Sequence, residues 1–402
     1  MAKSSAEQMR HWNGPAIFTF GFRPFFLFGS IWAGLAMVMW ILALTGAYAP
    51  PSRFDPISWH AHAFIFGYLG AVIAGFLLTA VPNWTGRLPV VGWRLAALAA
   101  LWFMGRIAVS FSIYMPAWVA AALDLLFPVA LSAVILREII AGSNWRNLIV
   151  LVLLAFFTLA NLIFHMEAAL GDYPAQGVGL RLSLAAVIMM IGVIGGRIIP
   201  SFTRNWLAQR KSTSLPVPPM QRLDKAVLIF SAAALLLWVL FPDIWLTGLA
   251  LLVMGVGHLV RLARWKGMKT GAEALVAILH LGYLFVPFGA LALGAAILGP
   301  DLLPVAAAQH LWMAGAIGTM TLAVMTRATL GHTGHTLHAG GQTVLIYAAI
   351  LGSTLARFIA GFWPGHVLFD VAGMLWCAAF FGFAIVYGPM LLKARSSTRQ
   401  AR

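Results

Sequence analysis

The chain has 402 residues, 61% of them hydrophobic and only 9% charged, with a formal net charge of +15. A soluble domain carries about 25% charged residues, so this composition excludes an ordinary soluble fold and points to lipid as the solvent. In a soluble protein the basic excess would suggest nucleic acid; here topology explains it better, because the Lys and Arg residues fall in short segments between long apolar blocks.

In chain order the blocks predict an all-α polytopic membrane protein, a single transmembrane domain over 1–402 with about twelve helices. The first, about 25–47, is too long for a signal-peptide core. The next five are expected at about 58–81, 92–112, 117–139, 147–170 and 178–200. A Pro- and Ser-rich polar stretch, about 201–224, divides the chain. Helices 7 to 10 are expected at about 225–241, 244–263, 272–298 and 304–327, with Phe241-Pro242-Asp243 as the whole turn between helices 7 and 8. A Gly- and His-rich loop at about 328–341 precedes helices 11 and 12, about 342–362 and 367–391. At 1.5 Å per residue most of these span the roughly 30 Å of hydrocarbon.

Charge orients the helices. With the N-terminus in the cytoplasm, one face collects Lys3, Arg10, Arg23, Arg87, Arg94, Arg137, Arg146, Arg204, Arg210, Lys211, Arg222, Lys225, Arg261, Arg264, Lys266, Lys269, Arg327 and the basic tail. The other face collects Asp55, Asp172, Asp243, Asp301 and Asp370, with Arg53, Arg181 and Arg357 as its few cations. The positive-inside rule then puts both termini in the cytoplasm. Helices 2, 6 and 10 end alike: Pro82-Asn83-Trp84-Thr85-Gly86-Arg87, Pro200-Ser201-Phe202-Thr203-Arg204, and Met325-Thr326-Arg327. The spacing of about 120 residues allows three four-helix repeats, but common helix-exit residues are the simpler explanation of the echo.

The eleven histidines equal the carboxylates in number. Ionisable groups inside lipid are costly and mark functional sites, and imidazole is a metal and haem ligand. His60, His62, His165 and His310 fall at one level near the outer face, with His366; His258 and His280 lie deeper. His60 and His62, two residues apart, point about 200° away from each other on a regular helix and cannot both face one ion. The histidines His332, His335 and His338 read as a solvated loop or, less simply, a metal-binding face. Arg106 is placed to clamp a carboxylate, including a haem propionate. Asp124 and Glu167 are candidate catalytic proton carriers or groups that orient a histidine. The single cysteine, Cys377, excludes a disulfide and any multi-cysteine metal site within this chain.

The blocks Gly21-Phe22-Arg23-Pro24-Phe25-Phe26, Trp59-His60-Ala61-His62, Gly75-Phe76-Leu77-Leu78-Thr79-Ala80-Val81-Pro82-Asn83-Trp84, Gly196-Arg197-Ile198-Ile199-Pro200-Ser201-Phe202-Thr203-Arg204-Asn205 and Gly318-Thr319-Met320-Thr321 through His332 resemble, in order, those of the NnrS family. The resemblance implies a multi-pass protein of the bacterial inner membrane that carries haem b and copper and serves denitrification or nitric oxide resistance. One departure stands out: the family pattern has an acidic residue after the second histidine of His-x-His, and here Ala63 stands there.

Residues and resemblance together give a first reading: a haem/copper protein that binds or reduces nitric oxide, an oxidoreductase if it turns over. Its cofactor residues are His62, His165, His310, His280 and Arg106, and its metal ligands His60, His62, His165 and His310. Glu167 and Asp124 carry protons, a quinol or cytochrome gives electrons, and the bilayer is the surrounding partner. A second reading makes the twelve helices a transporter or sensor of a small anion or metal ion.

Overall fold

The computed structural model describes residues 12–86, 89–363 and 365–393. Lys3, Arg10, Arg87 and the basic tail beyond 393, which enter the charge argument, lie outside the described residues. Among these residues there is no strand, and twelve long helices follow the predicted order. They are α1 (Phe22–Leu44), α2 (56–85), α3 (Trp93–Ser110), α4 (Ala117–Ala141), α5 (Leu148–Leu170), α6 (178–209), α7 (Arg222–Leu240), α8 (Trp245–Ala263), α9 (Ala274–Leu298), α10 (305–333), α11 (Gly341–Ile359) and α12 (His366–Leu392). Eleven are long and apolar enough to cross a membrane. The twelfth, α10, is continuous but diluted by Gln309, His310 and a run of threonines. The protein is a multi-pass membrane protein.

The helix ends follow local chemistry. Asp55 caps α2, its carboxylate accepting the Ile57 and Ser58 N–H groups at 3.0 Å each, with Pro56 in the first turn. Gly171 ends α5 at φ 84°, a left-handed conformation that glycine adopts without a Cβ clash. Phe241-Pro242-Asp243 does make the tight connection from α7 to α8.

Two boundaries differ from the sequence expectation. The helix α6 runs to Gln209, through Pro200 and beyond the expected end near 200. Ile199, Thr203 and Leu207, one turn apart, are all buried, so an amphipathic face continues where hydropathy alone falls off. Likewise α10 runs to Thr333, so His332 sits on a helix and not in the loop.

The three helices that end alike share a second property. Each carries a π-helical stretch: Ala63–Leu69 in α2, Ile191–Gly195 in α6 and Leu311–Gly318 in α10. Among the described residues no other helix does. A π turn inserts an extra residue and re-aims the following face, and such turns concentrate at functional sites. Its recurrence in these three helices strengthens the case for four-helix repeats over a coincidence of helix-exit residues.

Contacts divide the chain into two compact units. Unit 1 comprises Met1–Gly177, Val324–Leu337 and Phe380–Arg402; unit 2 comprises Val178–Ala323 and His338–Ala379. In unit 1, Arg23 is buried and donates from Nη1 to the carbonyls of Leu391 at 2.9 Å and Lys393 at 2.6 Å. It therefore neutralises the carbonyl-rich end of α12 and is not a solvated surface charge. In unit 2, α8 and α9 touch backbone to backbone. A Cβ on Gly294 would stand 2.7 Å from the Gly248 carbonyl, so both positions need the smallest residue.

Candidate metal centre

The polar core of unit 1 is built by four helices. On α2, His60 and His62 diverge as i, i+2 residues must. His60 stacks on Trp40 with ring centroids 4.3 Å apart. His62 points the other way and is fully buried. On α5, Asn161 and His165 lie one turn apart and so share a face. On α4, Asp124 is fully buried. On α3, Arg106 follows Gly105, where a Cβ would stand 2.7 Å from the Asp124 carboxylate; the glycine lets the two helices close. Pro128, four residues after Asp124 on α4, removes the N–H that would bond the Asp124 carbonyl and loosens the helix at this level.

All of these groups converge on one carboxylate. The Arg106 guanidinium donates from Nη2 to Asp124 Oδ1. Oδ2 accepts from Asn161 Nδ2 at 2.8 Å and His165 Nε2 at 3.1 Å, and His62 Nε2 lies 3.1 Å away. Asn161 Oδ1 stands 3.0 Å from the same His62 nitrogen. Oδ2 thus has three donors for two lone pairs. His62 Nε2 faces two acceptors, which fixes its proton there and leaves the buried Nδ1 without a partner. A small region that gathers two imidazole nitrogens and a carboxylate oxygen, all within 4.8 Å of one another, has the donor set of a metal site. Ligands about 2.0–2.1 Å from a tetrahedral ion are roughly 3.3 Å apart, close to the 3.1 Å edges seen here. Replacing two imidazole protons by one cation relieves the crowding on Oδ2. Arg106 already holds the other carboxylate oxygen, as an outer partner of a metal ligand does, and Asn161 donates to Oδ2 beside the ion's position.

The same geometry tests a porphyrin. The His62 and His165 ring centroids are 5.2 Å apart, and Phe54, Phe66 and Phe164 pack on His62 at 5.0–5.5 Å. This close aromatic collar suits a single ion and has no flat slot for haem.

The other predicted site residues lie elsewhere. Glu167 sits against Gly177, before α6. His310 directly precedes the π stretch of α10, and its Nδ1 donates to the Ala306 carbonyl at 2.6 Å, which puts the proton on Nδ1. His280 is buried on α9, with Nε2 2.8 Å from Thr203 Oγ1. Both belong to unit 2, but His280 lies near the start of α9 and His310 near the start of the antiparallel α10. The rise along α9 separates them by roughly 20 Å, too far to bind one haem from its two faces. The position that lacks the family's acid, Ala63, opens the π stretch, and its carbonyl accepts the Trp32 indole N–H at 2.9 Å. In this chain the carboxylate at the centre comes from α4.

Unit 2 holds a second buried polar cluster. Arg261 donates to Asp224 Oδ1 at 2.8 Å, to the Gly192 carbonyl in the π stretch of α6 at 2.7 Å, and to Tyr283 Oη at 2.8 Å. Tyr283 lies 2.7 Å from His258 Nδ1, and His258 Nε2 lies 2.9 Å from Ser231 Oγ. Ser231 gives its own proton to the Val227 carbonyl at 2.7 Å. Ser231 therefore accepts from His258 Nε2–H, and His258 Nδ1 accepts from Tyr283. The charge pattern had assigned Arg261 to a cytoplasmic surface; it is fully buried. At the start of α9, Glu273 accepts N–H bonds from Leu275 and Ala339 at 3.1 Å each and pairs with His338 Nδ1 at 2.8 Å. Burial pushes the Glu273 carboxyl up, but the His338 bond and the two backbone bonds outweigh it and hold it below the usual carboxylate value.

Fold and site together define a polytopic helical membrane protein with a buried bis-histidine, one-carboxylate cluster able to hold a metal ion. The NnrS protein family model matches residues 16–395. The chain belongs to the NnrS family, which places it among membrane proteins of the nitric oxide response. No curated protein matches it.

Proposed function

We propose that His62, His165 and Asp124 hold one copper ion and that this centre binds nitric oxide within the bacterial inner membrane, both termini being cytoplasmic. The observation that carries the reading is the convergence of two imidazoles and an over-subscribed carboxylate oxygen in a buried pocket. Imidazole-rich sites suit copper and other borderline ions. When bound, copper supplies redox chemistry and a coordination position for a diatomic ligand. The chain's own residues do the rest. Arg106 balances the negative charge of Asp124, Asn161 fixes the carboxylate, and the Phe54, Phe66 and Phe164 collar packs the His62 ring and keeps water away. Reduction of nitric oxide would further require electrons from a quinol or cytochrome. Haem b, expected from the sequence, does not fit this cluster, and His280 and His310 do not form a pair for it, so no step is assigned to haem.

The test is metal analysis of detergent-purified protein, with His62→Ala and His165→Ala alongside. Wild type should retain about one copper per chain after dialysis, and each variant at least tenfold less. Equal copper in all three proteins would remove these residues from the site.

A further inference from the structure

A cleft in unit 1 runs from the Asp124 cluster along α2, α4 and α5, bounded by Gly70, Ile73, Pro128, Leu131 and Phe157. Its cavity volume is about 10 Å³ by the measure that follows the centre of a water-sized guest, room for roughly one small molecule at a time. Gly70 gives independent evidence of the void. It is buried, yet a Cβ built on it meets no atom within 4 Å. In a close-packed helix bundle such a position is an unfilled hole.

The chemistry of the walls selects the guest. A buried water needs two to four polar partners. At the polar end, both Asp124 oxygens and the Asn161 amide are already engaged, and Arg106 Nε is a buried donor without a partner. The rest of the wall is apolar. An anion would be stripped of water beside a guanidinium whose charge Asp124 already balances, and a larger solute does not fit. A small apolar gas that dissolves in hydrocarbon loses nothing on entering, and the cleft lies within membrane-spanning helices. Pro128 contributes by taking a hydrogen bond out of α4 where the cleft meets Asp124.

We infer that this cleft is a docking site for one small apolar gas molecule, which it holds against the inner side of the Asp124 cluster. The role in delivering a ligand to a metal rests on the function proposed above; occupancy of the cleft does not.

Xenon is the probe for occupancy. Full-length protein in lipid nanodiscs under xenon pressure should give a saturable protein-dependent 129Xe shift, with or without bound copper. Gly70→Leu, whose side chain fills the hole, should reduce that shift at least tenfold, and Leu131→Ala, which widens it, should strengthen xenon binding. In copper-loaded protein, Gly70→Leu should also slow nitric oxide rebinding after photolysis at least tenfold without changing copper content. Absence of xenon binding in wild type, or binding indifferent to both variants, would overturn the site. Xenon binding that obeys these variants in a protein unable to retain copper would sink the metal reading and leave the gas site standing.

Discussion

The two buried clusters use similar parts and reach opposite states. In unit 2 the chain from Arg261 through Tyr283, His258 and Ser231 to the Val227 carbonyl is closed: each link has one donor and one acceptor. In unit 1 the Asp124 Oδ2 atom is crowded by three donors, while His62 Nδ1 and Arg106 Nε are buried without partners. A closed network specifies a fold and offers nothing to a ligand; a crowded one with vacant partners is stabilised by a ligand. Both clusters touch a π stretch, Gly67 lying against Arg106 and Gly192 accepting from Arg261. The shared scaffold thus serves packing in one unit and a candidate centre in the other.

The sharpest way to break this contrast is to delete each carboxylate. Asp124→Ala and Asp224→Ala each strand a buried arginine, and each should destabilise the protein by about 3–5 kcal/mol in thermal unfolding. Only Asp124→Ala should lose copper. Copper loss from Asp224→Ala at unchanged fold would mean that the closed network also takes part in the centre. A smaller effect is expected from Tyr283→Phe, which leaves His258 Nδ1 without its donor and Arg261 one acceptor short; about 1–3 kcal/mol of stability should go, again with copper retained.

The smallest effect concerns the Glu273–His338 contact. Because the folded carboxyl is depressed, its contribution is present above the unfolded carboxylate value and is lost as pH falls through the depressed folded value. His338 is exposed, so His338→Ala should cost no more than about 1 kcal/mol. It should also shrink the acid-side stability change between the two values. An unchanged acid limb would assign the depression to the backbone bonds alone.

Much of this architecture was legible in the sequence because hydropathy blocks and their bounding charges are local signals. The ends of α6 and α10 were not, since Thr203, Leu207 and Thr329 are buried through helix packing that hydropathy averages cannot register. Asp124, His62 and His165 were visible as ionisable groups at membrane depth, and the divergence of His60 from His62 followed from helix geometry. Their convergence depends on which helices are neighbours, which one chain's pattern does not reveal. Asn161 was missed, although its position four residues before His165 placed both on one face. Arg23 and Arg261 were read as surface charges because a buried cap or ion pair leaves the same residue in the sequence as a snorkelling cation does.

The most direct measurement is copper X-ray absorption on purified full-length protein. The account predicts one copper per chain with two imidazole nitrogens and one oxygen at about 2.0–2.2 Å, and a copper signal at least tenfold weaker in His165→Ala. Failure to retain copper after supplementation, or a copper signal unchanged by removing both His62 and His165, would contradict it.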